Sequence, residues 1–325
     1  VRGSWRSGTY WGYPQGLQAS TSVGQGFVMP VPPRRPASLQ GRVFRGSDVV
    51  TEGLLTRTEL RSAAWRPLFR DVYADAGLAI THRVRCAAVA QWVLPAGVVV
   101  AGRSAAALYD APSVVSHEPL DVLVPTGQRF GPVKGLIVHR GELAATDITL
   151  RHGIPLTTPT RTCRDLAQWL PTEEAVAIVD RLAHHRLVAI PELRASIRAR
   201  VGKRGWKRMT QVAEPADAGA ESAPESQLRV RIVLAGVPVP VTQFVVERDG
   251  WFVARLDLAW PRLKVAVEYD GLWHDDPEQF HRYRRRLNRL LGEDWLVLHV
   301  TAKRFREDFD GFLAELRQAL RSRSR

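Results

Sequence analysis

The chain has 325 residues, is 45% hydrophobic and 24% charged, and carries a formal net charge of +13. Its length allows two or three domains with full cores, and its basic excess points to a polyanion partner, of which nucleic acid is the commonest. Two cysteines, Cys86 and Cys163, exclude a disulfide framework and a cysteine-rich zinc site, and no stretch reaches the roughly 20 apolar residues of a membrane span, so the expectation is a cytoplasmic protein with no membrane partner.

Residues 1–40 are rich in Gly, Ser and Pro, lack periodicity, and read as a disordered tail. Met29, ahead of a Pro-rich stretch, is a candidate for the biological start. Residues 41–80 read as a compact unit. Ser47-Asp48-Val49-Val50 predicts a short helix ending at Gly53, and Thr56-Arg57-Thr58-Glu59 is a capping box. The run Trp65–Tyr73 predicts extended chain. Helix, short helix, then strand is the outline of a winged helix-turn-helix. Arg57, Arg61, Arg66 and Arg70 are its candidate phosphate contacts, the alternative being a structural unit that binds nothing. The stretch resembles the N-terminal domain of type IV abortive-infection antitoxins.

Residues 81–208 predict an α+β region, with helices over 82–94 and 104–109 and strands over 120–124 and 136–139. Ile154–Thr162 then runs from a strand through a Thr-Thr-Pro-x-Arg-Thr turn into a helix carrying Cys163 and Leu166. Pro159 suits the first turn of that helix, where its missing N–H costs nothing. This passage also resembles the antitoxin family. His184 and His185 are adjacent, so on a helix they point apart and make a poor metal pair. Residues 209–221, rich in Ala, Glu, Pro and Gly, read as an interdomain linker.

The C-terminal part, 222–325, holds the chemistry-bearing residues. Arg255–Gly271 reads as two strands joined at Trp260-Pro261-Arg262-Leu263. Strand side chains alternate, so Glu268 and Asp270 share a face. A turn centred on Pro261-Arg262 sets Asp257 opposite Ala266, with Glu268 its diagonal neighbour at roughly 7 Å. Three carboxylates then converge on one patch of an apolar hairpin, which suits a hard divalent ion, Mg²⁺ or Mn²⁺. Such an ion activates water and offsets charge on a phosphate undergoing displacement. Ahead of the hairpin, Ser222-Ala223-Pro224-Glu225 makes Glu225 either a helix cap or a partner of the metal site. Asp270-Gly271 also suits a turn leaving the strand.

Asp257, the short turn and the apolar run ending in Glu268-x-Asp270-Gly271 resemble the PD-(D/E)XK nuclease superfamily. More closely, they resemble an actinobacterial family related to very short patch repair endonucleases. The resemblance covers about Ser222 to Phe309 and implies a C-terminal α/β restriction-endonuclease-like domain, a mixed sheet flanked by helices. It also implies a Glu-bearing helix before the hairpin and, after it, a His-containing turn, an Arg-rich helix and a strand, here Trp295–Val300. Asp270 stands where the superfamily has lysine, which leaves the general base unassigned. Trp273 and Tyr283 stand where His and Asp are expected.

His274 follows the hairpin and suits either proton transfer or a phosphate contact. In the helix predicted over about 280–291, Arg282, Arg285, Arg286 and Arg289 fall opposite the apolar stripe, a row suited to a phosphate backbone. The expected function is metal-dependent cleavage of DNA by an endonuclease or nickase, RNA being the less favoured substrate. The rival is a DNA-binding transcriptional regulator of antitoxin type that does not cut.

Overall fold

The computed structural model describes residues 33–111, 117–199, 201–202, 205–270 and 289–324. It is a mixed α+β protein with three sheets flanked by helices. Among the described residues, no helix is long and apolar enough to cross a membrane.

The first sheet is antiparallel, with β1 (Val43–Arg45), β2 (Trp65–Phe69) and β3 (Val72–Asp75) in the order β1-β3-β2. Helix α1 (Gly46–Thr51) follows β1, and Leu39, Phe44, Val49, Leu55, Leu60 and Trp65 close a small core beneath it. The capping box forms as expected: Thr56 N donates to Glu59 Oε2 at 2.7 Å, and Glu59 N donates to Thr56 Oγ1 at 3.2 Å. It introduces a single 3-10 turn, Glu59–Arg61, so the second helix of the expected outline is one turn long.

The middle unit places α2 (His82–Trp92) and α3 (Gly102–Leu108) beside a five-stranded sheet. Its strands are β4 (Val99–Val100), β5 (Leu120–Pro125), β6 (Leu136–Gly141), β7 (Ile148–Arg151) and β8 (Ile154–Thr157), ordered β6-β5-β4-β8-β7. Helices α4 (Pro159–Trp169), α5 (Thr172–His184), α6 (Ile190–Arg198) and α7 (Trp206–Ala213) complete it. Thr158 caps α4, its side chain accepting from Arg161 N, and Pro159 takes the first turn as expected. Cys86 and Cys163 are buried free thiols, each pushed up to about 12 by burial, which keeps them unreactive.

The expected linker is instead packed chain. Met209, Val212 and Ala213 of α7, together with Ala216, join the middle core, and Ala220 is also buried. These apolar side chains bury the segment against its neighbours where composition alone suggested a tether.

The C-terminal unit runs α8 (Ala223–Leu234), β9 (Val241–Arg248), β10 (Trp251–Trp260), β11 (Val265–Asp270), β12 (Leu296–Thr301), α9 (Ala302–Glu307) and α10 (Phe309–Arg323). The sheet order is β12-β11-β10-β9. β10 is antiparallel to both neighbours, and β12 runs parallel to β11. Leu228 and Ile232 of α8 and Phe312 and Leu316 of α10 cover one face, against Leu258, Trp260, Val265 and Val267. Val230 of α8 belongs to the core of the middle unit, so α8 is shared between the two.

Candidate functional site

The hairpin register differs from the sequence expectation. Trp260 pairs Val265, Ala259 pairs Ala266 and Leu258 pairs Val267. The connection is a 3-10 turn, Pro261–Leu263, closed by Lys264 in a left-handed conformation at φ +49. It is two residues longer than a turn centred on Pro261-Arg262. Continued one step, the ladder sets Asp257 opposite Glu268 rather than Ala266. Asp257 Oδ2 accepts from the backbone N of Tyr269 at 3.0 Å, which ties it to β11.

The same arithmetic extends across the sheet. Leu256 pairs Phe244 and Leu258 pairs Thr242, so Gln243 lies opposite Asp257. On the other side Glu268 pairs His299. Glu268 and His299 lie side by side on the face of Ala266 and Val297, while Gln243 reaches Glu225 of α8 and Asp257 reaches the Tyr269 amide. Asp270, two residues beyond Glu268, has Oδ1 3.3 Å from His299 Nδ1. Glu268 is only 4% exposed, an unusual place for a carboxylate.

Glu225 reaches Gln243 from the first turn of α8. Its Oε2 accepts from Gln243 Nε2 at 2.9 Å, and its Oε1 accepts from Ser222 Oγ at 2.6 Å. Glu225 N in turn donates to Ser222 Oγ at 3.3 Å. The residue thus supports the start of α8, as the capping reading expects, and it lies near Asp257. Burial holds its carboxyl above the usual range, and the charge of Asp257 adds to the rise.

Among the described residues, no three His, Cys, Asp or Glu side chains are gathered as the ligand set of a metal ion. The oxygen donors are of the type a hard cation takes. Arg289 is exposed. His274, Arg282, Arg285, Arg286, Trp273 and Tyr283 lie outside the described residues. Arg57 and Arg61 are exposed near the 3-10 turn of the first unit, as are Arg66 and Arg70 nearby. Lys264, exposed in the hairpin turn, donates to the Glu293 carbonyl at 2.9 Å.

Sequence reasoning missed His299 and Gln243. The alternating run ending at His299 was visible as a strand. Its parallel pairing beside Glu268 follows from a crossover connection, the one signal that pointed there. Gln243 stands in a strand at φ +49, and nothing in its neighbourhood of sequence marks that.

A second polar cluster lies in the middle unit. Buried Asp121 accepts from Arg103 N at 3.0 Å and has Oδ1 2.9 Å from His139 Nε2, whose ring stacks on Trp169 at 3.5 Å. A cavity of about 240 Å³ at the start of α8 is lined by Arg181, Glu221 and Ser222. Arg181 there donates to the Glu221 carbonyl at 3.2 Å.

No family model matches the chain. Two curated proteins of Mycobacterium tuberculosis resemble it: Uncharacterized protein Rv2248 of strain H37Rv and Uncharacterized protein MT2308 of strain CDC 1551. Each is 29% identical over 208 residues, spanning 63% of this chain and 74% of the relative. Among solved structures, the RV2827C protein of Mycobacterium tuberculosis superposes with a TM-score of 0.39 at 17% identity, covering 62% of this chain and 78% of that one.

Proposed function

We propose that the C-terminal unit is a nuclease-type site that hydrolyses phosphodiester bonds of DNA, as an endonuclease or nickase assisted by Mg²⁺ or Mn²⁺. The observation that carries the reading is the acidic neighbourhood of β10 and β11: Glu225 near Asp257, Asp257 on the Tyr269 amide, and buried Glu268 and Asp270 beside His299. Burying Glu268 costs stability unless its charge is neutralised or hydrogen-bonded. The order α8, β9, β10, β11, then a parallel β12 supports the resemblance to the PD-(D/E)XK superfamily and its very short patch repair relatives. The net charge of +13 suits a nucleic-acid substrate.

Asp257 and Glu268 are the proposed metal-facing carboxylates, with Asp270 the third. A bound ion would supply water activation and charge neutralisation. Asp257 is held by the Tyr269 amide, and Asp270 is oriented by His299. His274 remains the proposed proton-transfer group. Arg282, Arg285, Arg286 and Arg289 are proposed to meet the backbone, with Arg57 and Arg61 of the winged helix-like unit as further phosphate contacts.

A second reading is a DNA-binding regulator of antitoxin type whose nuclease-like unit does not cut. Trp273 and Tyr283, standing where the resemblance expects His and Asp, favour it. Supercoiled plasmid incubated with Mg²⁺, Mn²⁺ or EDTA separates the two. The nuclease reading expects nicked or linear product with metal, none with EDTA, and none from Glu268→Ala. Wild-type protein that binds DNA and never cuts leaves the regulator.

A further inference from the structure

Gln243 lies within β9 at φ +49, while the residues on either side pair normally, Thr242 with Leu258 and Phe244 with Leu256. A left-handed backbone is uncommon for glutamine, and inside a strand it upsets the alternation of side chains. The cores record the result. Phe244, Val246, Ala254 and Leu256 pack with Leu290 and Trp295, in the same core as Ala259 and Ala266. Leu258 and Trp260 belong instead to the core under α8 and α10, with Leu228 and Phe312. Strict alternation would set Leu256 and Leu258 on one face. They lie on opposite faces, so both strands change sides at Gln243 and Asp257.

Both residues at this crossing are half-buried. Gln243 Nε2 donates to Glu225 Oε2 at 2.9 Å, and Ser222 Oγ donates to Glu225 Oε1 at 2.6 Å. The Glu221 amide adds a longer bond to Oε2 at 3.4 Å. Both oxygens of Glu225 are therefore held, one from β9 and one from the helix cap. Asp257 is near enough for its charge to act on the Glu225 carboxyl, and its own Oδ2 is tied to the Tyr269 amide. Two carboxylates that repel each other are thus each fastened in place. A cap alone needs only Ser222, and the fold alone would be better served at φ +49 by glycine or asparagine. Strain of this kind persists where the surroundings enforce it, and it gathers at functional sites.

We propose that Gln243 is a positioning residue of the nuclease-type site, fixing the Glu225 carboxylate against Asp257, an inference that rests on the nuclease reading of this neighbourhood. Without the amide, the charge of Asp257 turns Glu225 away about its rotatable bonds, and Ser222 alone holds one oxygen. Carboxylate oxygens kept close together are what a hard divalent cation binds, and the groups that orient such oxygens set how well it does so. Glu225 thereby counts with Asp257 in the site, and its place is decided from β9 as well as from α8.

The test uses the full chain in three measurements: nicking of supercoiled plasmid with Mn²⁺ over a range of plasmid concentrations, calorimetric titration of Mn²⁺ without DNA, and melting in EDTA. Gln243→Asn suits a left-handed backbone, but its amide is a methylene too short for Glu225. It should melt within about 2 °C of wild type in EDTA, because relieved strain offsets the lost bond. Its kcat should fall about a hundredfold and its Mn²⁺ affinity about tenfold, with KM for plasmid unchanged. The double exchange Gln243→Glu with Glu225→Gln rebuilds the bond with donor and acceptor reversed. It should melt like wild type yet stay inactive, since the charge has left residue 225. Wild-type kcat and Mn²⁺ affinity in Gln243→Asn overturn the positioning role and leave the nuclease reading standing. So does a double exchange that nicks like wild type, since any bond between these two positions would then suffice. A wild type that neither nicks plasmid nor binds Mn²⁺ overturns the nuclease reading itself, and this inference with it.

Discussion

Asp180 and Arg229 form a buried ion pair, Oδ2 to Nη2 at 2.6 Å with side chains 1% and 3% exposed, and it fastens α5 to α8. Asp180 Oδ1 also accepts from Asp217 N at 2.7 Å, and Arg229 Nη1 donates to the Pro215 carbonyl. Asp217 Oδ2 then accepts from Thr242 Oγ1 at 2.6 Å, next to Gln243. Arg229 follows Glu225 by one helical turn. The middle unit therefore holds both α8, which carries Glu225, and the strand that carries Glu225's partner.

The first prediction concerns this joint. Arg229→Ala strands the Asp180 carboxylate in the interior and should cost roughly 3–5 kcal/mol, measured by urea unfolding. Burial already pushes Asp180 up to about 6, against the opposing pull of Arg229. The folded state thus binds its proton more readily than the unfolded chain. That contribution is complete below the unfolded value and is lost as pH rises through about 6. Losing Arg229 raises the carboxyl further, so the deficit should be larger at pH ~8 than at pH ~5. Asp180→Leu with Arg229→Met should recover much of the loss. A cost under about 1 kcal/mol for Arg229→Ala would match a solvated pair and would show that α8 is not clamped.

The second prediction concerns Glu225. Its carboxyl is held high by burial first and then by Asp257. The folded state again favours the protonated form, so its contribution is present at low pH and lost as pH rises through the folded value. Above that, the ionised group is a net cost. Glu225→Gln should melt higher than wild type at pH ~8, with the gap closing toward pH ~4. Wild type melting higher at the alkaline end would mean that the hydrogen bonds from Ser222 and Gln243 outweigh the repulsion.

That Glu268 and Asp270 share a face was legible from alternation along one strand, whatever the register of the hairpin. The shift itself was not legible. Pro261-Arg262 looks like the centre of a two-residue turn, and only the left-handed Lys264 lengthens the connection. His299 was hidden for another reason: its neighbour Glu268 lies 31 positions away, and parallel pairing leaves no short turn to mark it. The expected linker failed because alanine-rich composition describes a flexible tether and a closely packed helix equally well. Thr56 and Glu59 formed their box as expected, yet a cap fixes where a helix starts and says nothing of how far it runs.

The last prediction separates structure from chemistry at Asp257. Its Oδ2 accepts the Tyr269 amide at 3.0 Å, so the residue has a structural role whether or not the site cuts. Asp257→Ala leaves that amide without this acceptor and should cost about 1–3 kcal/mol. Asp257→Asn keeps an acceptor of the same shape and should cost less than about 1 kcal/mol. Both remove the negative charge. If that charge serves the reaction, both variants should lose plasmid nicking and also lose any rise in melting temperature on adding Mn²⁺, a rise expected of an ion that binds only the folded state. Glu268→Gln should behave like the Asn variant. An Asp257→Asn protein that melts and nicks like wild type would reduce Asp257 to a backbone acceptor. One that melts like wild type but no longer nicks or responds to Mn²⁺ would place its charge in the chemistry of the site.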